Sequence, residues 1–131
     1  MDCLDTDILV ALLKGDPEAT AFIEKLEGKG EKIKTSDVSA YELVKGAHIS
    51  SKPEDNLKIV GGLLSILTVL TLNRNSFEFA ARIHRDLRKA GKIIGELDIL
   101  IAGICHCNDE ALVSRDGHFR EIGKVLNLMS W

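Results

Sequence analysis

Short apolar or β-branched runs of strand length take turns along this chain with segments of helical spacing, giving five strands separated mostly by helices. Parallel neighbours in a sheet need long crossovers, and helical crossovers cover both of its faces. The expected fold class is therefore α/β, a three-layer α/β/α sandwich around a central, mostly parallel five-stranded sheet. In such sheets ligands bind beyond the carboxyl ends of the strands, near the point where strand order reverses.

The elements follow from local signals. Met1 to Thr6 reads as the first strand, and the apolar run Ile8 to Leu13, closed by Gly15, as a buried helix. Asp16-Pro17-Glu18 opens a second helix carrying Phe22, Ile23 and Leu26 and ended by Gly28 and Gly30. Lys32 to Ser36 is a short strand, and Ser36 or Asp37 caps a helix with Tyr41, Leu43, Val44 and Ala47. Pro53-Glu54-Asp55 starts a helix reaching about Ile66, and Thr68 to Leu72 is a β-branched strand. Asn75 or Ser76 is expected to cap a long helix with a stripe at Phe79, Ile83, Leu87 and Ala90, stopped by Gly91. Glu96 to Cys107 reads as a central helix, Ala111 to Ser114 as a strand and Val125 to Met129 as another.

At 131 residues the chain is expected to form one domain, residues 1–131, and its 45% hydrophobic and 28% charged residues exclude disordered, collagenous and disulfide-scaffold classes. The uncharged stretch Ile59 to Leu72 is fourteen residues long and broken by Gly61, Gly62, Ser65, Thr68 and Thr71. That is short of the roughly twenty a bilayer demands, so no membrane role is expected. Three cysteines without framework spacing, and an N-terminus lacking a secretory pattern, point to the cytoplasm. A net charge of -3 leaves any contact with nucleic acid to a local patch.

The polar residues at the predicted strand ends are acids. Asp5 follows the first strand and Asp116 the fourth, in Ser114-Arg115-Asp116-Gly117. Glu42 and Asp98 are read as lying in the first turns of apolar helices. Four carboxylates delivered to one end of a sheet repel each other unless a divalent cation neutralises them, and hard oxygen ligands suit Mg²⁺ or Mn²⁺. Each acid also has a local structural role available. Asp98 and Glu42 complement a helix dipole, Asp5 caps the first helix, and Asp116-Gly117 is a turn pair. Their joint placement favours the metal site.

The segments Leu4-Asp5-Thr6-Asp7-Ile8-Leu9, Tyr41-Glu42-Leu43-Val44-Lys45-Gly46, Leu97-Asp98-Ile99-Leu100-Ile101-Ala102 and Val113-Ser114-Arg115-Asp116-Gly117-His118-Phe119 resemble the four ordered acidic motifs of PIN-domain nucleases. Order, spacing and length are most similar to VapC-type toxins of toxin-antitoxin systems, and the resemblance runs from Met1 to Trp131. It implies a sheet ordered three, two, one, four, five. It further implies a ribonuclease whose Asp5, Glu42, Asp98 and Asp116 bind metal and whose products carry a 5′-phosphate and a 3′-hydroxyl. Ser114 would orient Asp116 or a water, with Thr6 playing a similar part near Asp5. Asp7 replaces a more usual asparagine or small residue, and Glu96 adds a nearby acid, which leaves open whether the acidic ring exceeds four. A homodimer is implied, together with a protein antitoxin whose tail blocks the site through an arginine competing with metal.

An RNA substrate needs cations near these acids. Arg82, Arg85 and Lys89, with Lys92 beyond, share one helix face, either as an RNA rail or as a solvated face. Arg115 and Arg120 flank Asp116. Cys105-His106-Cys107 is read as core thiols, because alternate helical residues diverge by about 200°. His48, His84 and His118 are read as isolated surface or capping residues. Leu57, Val60, Leu64 and Leu67 fit either core or a partner surface, with core preferred. Competing functions are a haloacid-dehalogenase-like phosphatase with Asp5 as nucleophile in Asp5-Thr6-Asp7, a receiver-like phosphate switch, and a non-catalytic acidic-pocket binding domain.

Overall fold

The computed structural model describes residues 2–131. Five parallel strands form one sheet in the order β3-β2-β1-β4-β5: β1 (Asp2–Leu4), β2 (Lys34–Ser36), β3 (Thr68–Leu70), β4 (Ala111–Val113) and β5 (Leu128–Met129). The order implied by the family resemblance is thus the one found. Met1, assigned to the first strand from sequence, lies outside the described residues. The crossovers are α1 (Thr6–Leu13), α2 (Pro17–Gly28), α3 (Asp37–His48), α4 (Pro53–Ile66), α5 (Arg74–Lys89) and α6 (Glu96–Cys107), and a 3-10 segment, Gly117–Val125, leads into β5.

Alternation along the strands divides the core into two layers. Cys3 and Leu112 face α5 and α6, packing with Ile83, Leu87, Ile101, Ile104 and Phe119. Leu4 and Val113 face the other side, with Ile8, Leu9, Ile23, Leu43 and Val60. Leu57, Leu64 and Leu67 are packed, partly buried, against this second layer, so the core reading of α4 holds. Cys3 and Cys105 are buried and all three cysteines are free thiols. No helix is long and apolar enough to cross a membrane.

Several boundaries differ from the sequence expectation for local reasons. The α5 helix starts earlier, because Asn73 caps it: its Oδ1 accepts from Ser76 N–H at 3.1 Å while Ser76 Oγ accepts from Asn73 N–H at 2.8 Å. Asn75 is therefore inside the helix, and Ser76 is the reciprocal partner of the cap. The first helix begins at Thr6, ahead of its apolar run, and β5 is confined to two residues by the 3-10 segment before it. At Gly103 the α5 and α6 backbones meet so closely that a Cβ would sit 2.5 Å from the Ser76 carbonyl oxygen. That contact seats α6, which carries Asp98, against α5.

Candidate metal centre and active site

Chain direction alone delivers acids to the carboxyl edge. Leu4 pairs in register with both Thr35 and Val113, so the residues following β1 and β4 emerge side by side at the switch point. Asp5 N–H donates to the Val113 carbonyl at 3.0 Å, and the Asp5 side chain is 5% exposed. It stands at the start of α1 yet provides no side-chain cap for that helix. Instead Ser114 Oγ donates to Asp5 Oδ2 at 2.7 Å and accepts from Asp116 N–H at 3.0 Å. The hydroxyl of Ser114 therefore ties the first acid to the fourth. Burial pushes the Asp5 carboxyl up to about 7, against the pull of the Ser114 hydroxyl and the Thr6 backbone N–H, with the Asp7 and Asp98 charges adding to the rise.

Asp98, in the first turn of α6, is half-buried and raised for related reasons: loss of water first, then the charges of Asp116 and Glu42, partly offset by His118. Glu42 lies in the second turn of α3, not the first as expected, because Ser36 caps the helix and Asp37 begins it. Its Oε1 accepts from the Thr6 hydroxyl at 2.9 Å, and the same hydroxyl lies 3.0 Å from Ser39 Oγ. The Thr6 hydroxyl thus serves Glu42, while its backbone N–H serves Asp5. Asp116 caps the 3-10 segment, accepting from His118 N–H at 2.9 Å, so the local role anticipated for it coexists with its place at the site.

His118 is not isolated. Its Nδ1 lies 3.2 Å from Asp116 Oδ1, and ligand atoms of Asp98, Asp116 and His118 lie within 4.8 Å of one another. The turn at Gly117 brings the ring back over the acid two residues before it, and the spacing Asp116-Gly117-His118 was the available signal. Carboxylate oxygens dominate this donor set, and Asp5 and Asp98 are held above their ordinary range, by burial first and then by neighbouring negative charge. A hard dication relieves both, and Asp98, Asp116 and His118 offer ligand atoms close enough to share such an ion, with Asp5 joined to Asp116 through Ser114 and Glu42 acting on Asp98 by its charge.

Of the remaining sequence candidates Asp7 borders the site, where its charge acts on Asp5, and the others make contacts of their own or stand exposed. Asp7 accepts hydrogen bonds from Ile8 N–H at 2.6 Å and Arg115 N–H at 2.7 Å, so its carboxylate is engaged by protein donors. Glu96 is exposed and turns toward His84 of α5 at 3.8 Å, while Asp98 takes its repulsion from Asp116 and Glu42. The Arg115 guanidinium pairs with Glu18 and covers the Trp131 ring at 3.6 Å. Arg120 is exposed. Arg82 stands over the Phe79 ring at 5.5 Å and Arg85 pairs with Asp86 at 3.0 Å, both on the solvent face of α5. Among the described residues no lysine or arginine forms an ion pair with Asp5, Glu42, Asp98 or Asp116.

Residues 3–125 match the family model of the PIN domain. The chain is 32% identical over 125 residues to ribonuclease VapC2 of Haemophilus influenzae, covering 95% of this chain and 92% of that protein. It is 30% identical over 122 residues to the tRNA(fMet)-specific endonuclease VapC of Shigella flexneri, covering 93% and 89%. Among solved structures, VapBC2 from Rickettsia felis, bound to a DNA fragment from its promoter, superposes with a TM-score of 0.90 at 27% identity, covering 99% of this chain and 98% of that one. The DNA-bound VapBC of Salmonella typhimurium gives 0.85 at 26% identity, covering 99% and 97%. Sheet order, acidic edge and near-complete coverage agree, and the chain belongs to the PIN-domain family, among its VapC ribonucleases.

Proposed function

We propose that this protein is the toxin of a toxin-antitoxin pair, a Mg²⁺- or Mn²⁺-dependent endoribonuclease that hydrolyses RNA phosphodiester bonds at the edge formed by Asp5, Glu42, Asp98 and Asp116. The observation that carries the reading is the buried Asp5 carboxyl, raised to about 7 and linked through Ser114 to Asp116 with no lysine or arginine paired to it among the described residues. A nearly buried acid that lacks an internal cation is suited to an external one.

Asp5, Asp98 and Asp116 would hold the ion. When bound, it supplies Lewis acidity toward water and the phosphate oxygens. Glu42, steadied by Thr6, or Asp98 would orient the attacking water and take its proton. Ser114 ties the Asp5 carboxyl to the Asp116 backbone, and no side chain need act as nucleophile. The phosphatase alternative needs Asp7 as a mobile acid beside Asp5, and the donors bound to both Asp7 oxygens argue against that.

The antitoxin reading draws on the VapBC complexes among the structural neighbours and on a groove of about 350 Å³ walled by Val10, Leu13, Leu43, Ile59 and Val60 that reaches Glu42. An apolar segment lying there would bring its polar end to the acids. We further propose a homodimer in the cytoplasm, where free cysteines stay reduced. The test is cleavage of a mixed RNA pool by protein freed of co-purified partner, verified by mass spectrometry. Cutting is expected with Mg²⁺ or Mn²⁺ and abolished by chelator, leaving 5′-phosphate ends; undiminished cutting in chelator rejects the reading.

A further inference from the structure

We propose that Asp7 and Trp131 form a latch that positions the acidic site by gripping the turn 114–116 from both sides, an inference that rests on the nuclease reading above. Asp7 is a positioning residue: it acts on the proposed metal-binding acids through Ser114 and Asp116.

Four donors converge on the Asp7 carboxylate. Oδ1 accepts from Ile8 N–H at 2.6 Å and from the Trp131 indole N–H at 3.3 Å. Oδ2 accepts from Arg115 N–H at 2.7 Å, with Ser114 Oγ at 3.3 Å. The Ser114 proton is given at shorter range to Asp5, at 2.7 Å, so Asp7 chiefly fixes the backbone from which that hydroxyl projects. Trp131 closes the other side. Arg115 Nε–H donates to the Trp131 carbonyl at 2.6 Å, the guanidinium lies over the indole at 3.6 Å, and its far end pairs with Glu18. The turn is therefore held by its backbone at Asp7 and by the Arg115 side chain at Trp131 and Glu18. Between those two grips sit the Ser114 hydroxyl, which holds Asp5, and the N–H of Asp116, which returns to Ser114.

This arrangement demands a carboxylate. Ile8, Trp131 and Arg115 each present an N–H, and a carboxylate accepts on both oxygens, whereas an amide must turn its NH₂ group toward one side. Asparagine at position 7 would therefore set N–H against N–H either at Arg115 or at Ile8 and Trp131. Arg115, flanking an acid in sequence, is accordingly a strut of this latch.

The experiment compares wild type with Asp7→Asn, Asp7→Ala and Trp131→Phe, each shown folded by thermal melting, using Mn²⁺ binding by calorimetry and steady-state cleavage of one RNA oligonucleotide. Asp7→Asn is expected to weaken Mn²⁺ binding and lower kcat by about 10- to 100-fold while KM moves by less than about threefold, the pattern of an altered supporting residue at a metal site. Trp131→Phe keeps an aromatic face for Arg115 while losing the N–H and part of the ring area, with an expected loss of about fivefold. Trp131 is the sole tryptophan, so its fluorescence anisotropy should fall in Asp7→Ala as the indole is released. Variants that bind Mn²⁺ and turn over as wild type does, or that raise KM alone, overturn the latch while leaving the nuclease reading intact. Wild-type protein that neither binds Mn²⁺ nor cuts RNA overturns both.

Discussion

The two ends of the sheet treat buried carboxylates in opposite ways. At the amino end Glu110, just before β4, meets Lys34 at the start of β2; their side chains are 3% and 18% exposed. The ammonium is part of the chain, so charge there is balanced once and permanently. At the carboxyl end, among the described residues, the exposed imidazole of His118 is the only possible cation against Asp5, Glu42, Asp98 and Asp116, beside Asp116 and acting also on Asp98. Repulsion there is relieved by a proton or by an ion from solution, and both are exchangeable. A carboxylate matched by a lysine is structure, while one left for a mobile cation is available for chemistry.

Removing the lysine breaks the amino end most severely. Lys34→Met strands Glu110 in the interior and should destabilise the fold by about 3 to 5 kcal/mol in denaturant titration, much of it recovered in Lys34→Met with Glu110→Gln. Mn²⁺ binding by the protein that remains folded should not change, because the pair lies at the opposite edge of the sheet. At the carboxyl end the sign reverses. Asp5→Asn replaces a buried acid that resists ionisation with a neutral group still able to accept from Ser114. Cleavage should fall by about 100-fold or more, while the metal-free melting temperature at pH 8 should rise. A fall in melting temperature would mean that the Asp5 charge is already balanced within the protein, and the contrast between the two ends would disappear.

Sequence made one half of that contrast easier to read than the other. Strand number, parallel pairing and the acids at Asp5, Asp98 and Asp116 were legible because each is a local event: an apolar run ends and a carboxylate follows it, or stands inside it. Glu42 was legible as an acid, but with Asp37 the first residue of α3 it falls in the second turn, one turn deeper than expected. His118 reads from sequence as isolated because its meeting with Asp116 depends on the 3-10 turn that Asp116 caps. The latch was beyond reach, with Asp7 and Trp131 separated by 124 positions and joined only once β4 and β5 are paired. Arg115 shows the same limit. It flanks Asp116 in sequence, and its side-chain partners Trp131 and Glu18 are both distant along the chain.

The smallest expected effect is also the most direct measure of the uncompensated end. Asp5 ionises at about 7 in the folded state against 3.8 as its ordinary value, so between those limits the native protein holds a proton that the unfolded chain has released. Stability contributed by that proton is fully present below pH 3.8 and is lost as pH rises through about 7, because binding more protons in the native state makes stability fall with pH. Metal-free protein should therefore lose melting temperature across this window beyond what the rest of the chain explains, and Asp5→Asn should remove that slope. Adding Mn²⁺ should restore the loss at pH 8, where the site is ionised, by an amount that grows with the logarithm of the metal concentration. At pH 5 the same addition should do less, since the ion must displace the proton on Asp5. An equal Mn²⁺ shift at both values would show that the ion is held by the more exposed Asp116 and His118 without Asp5, moving the centre of the site outward along the edge.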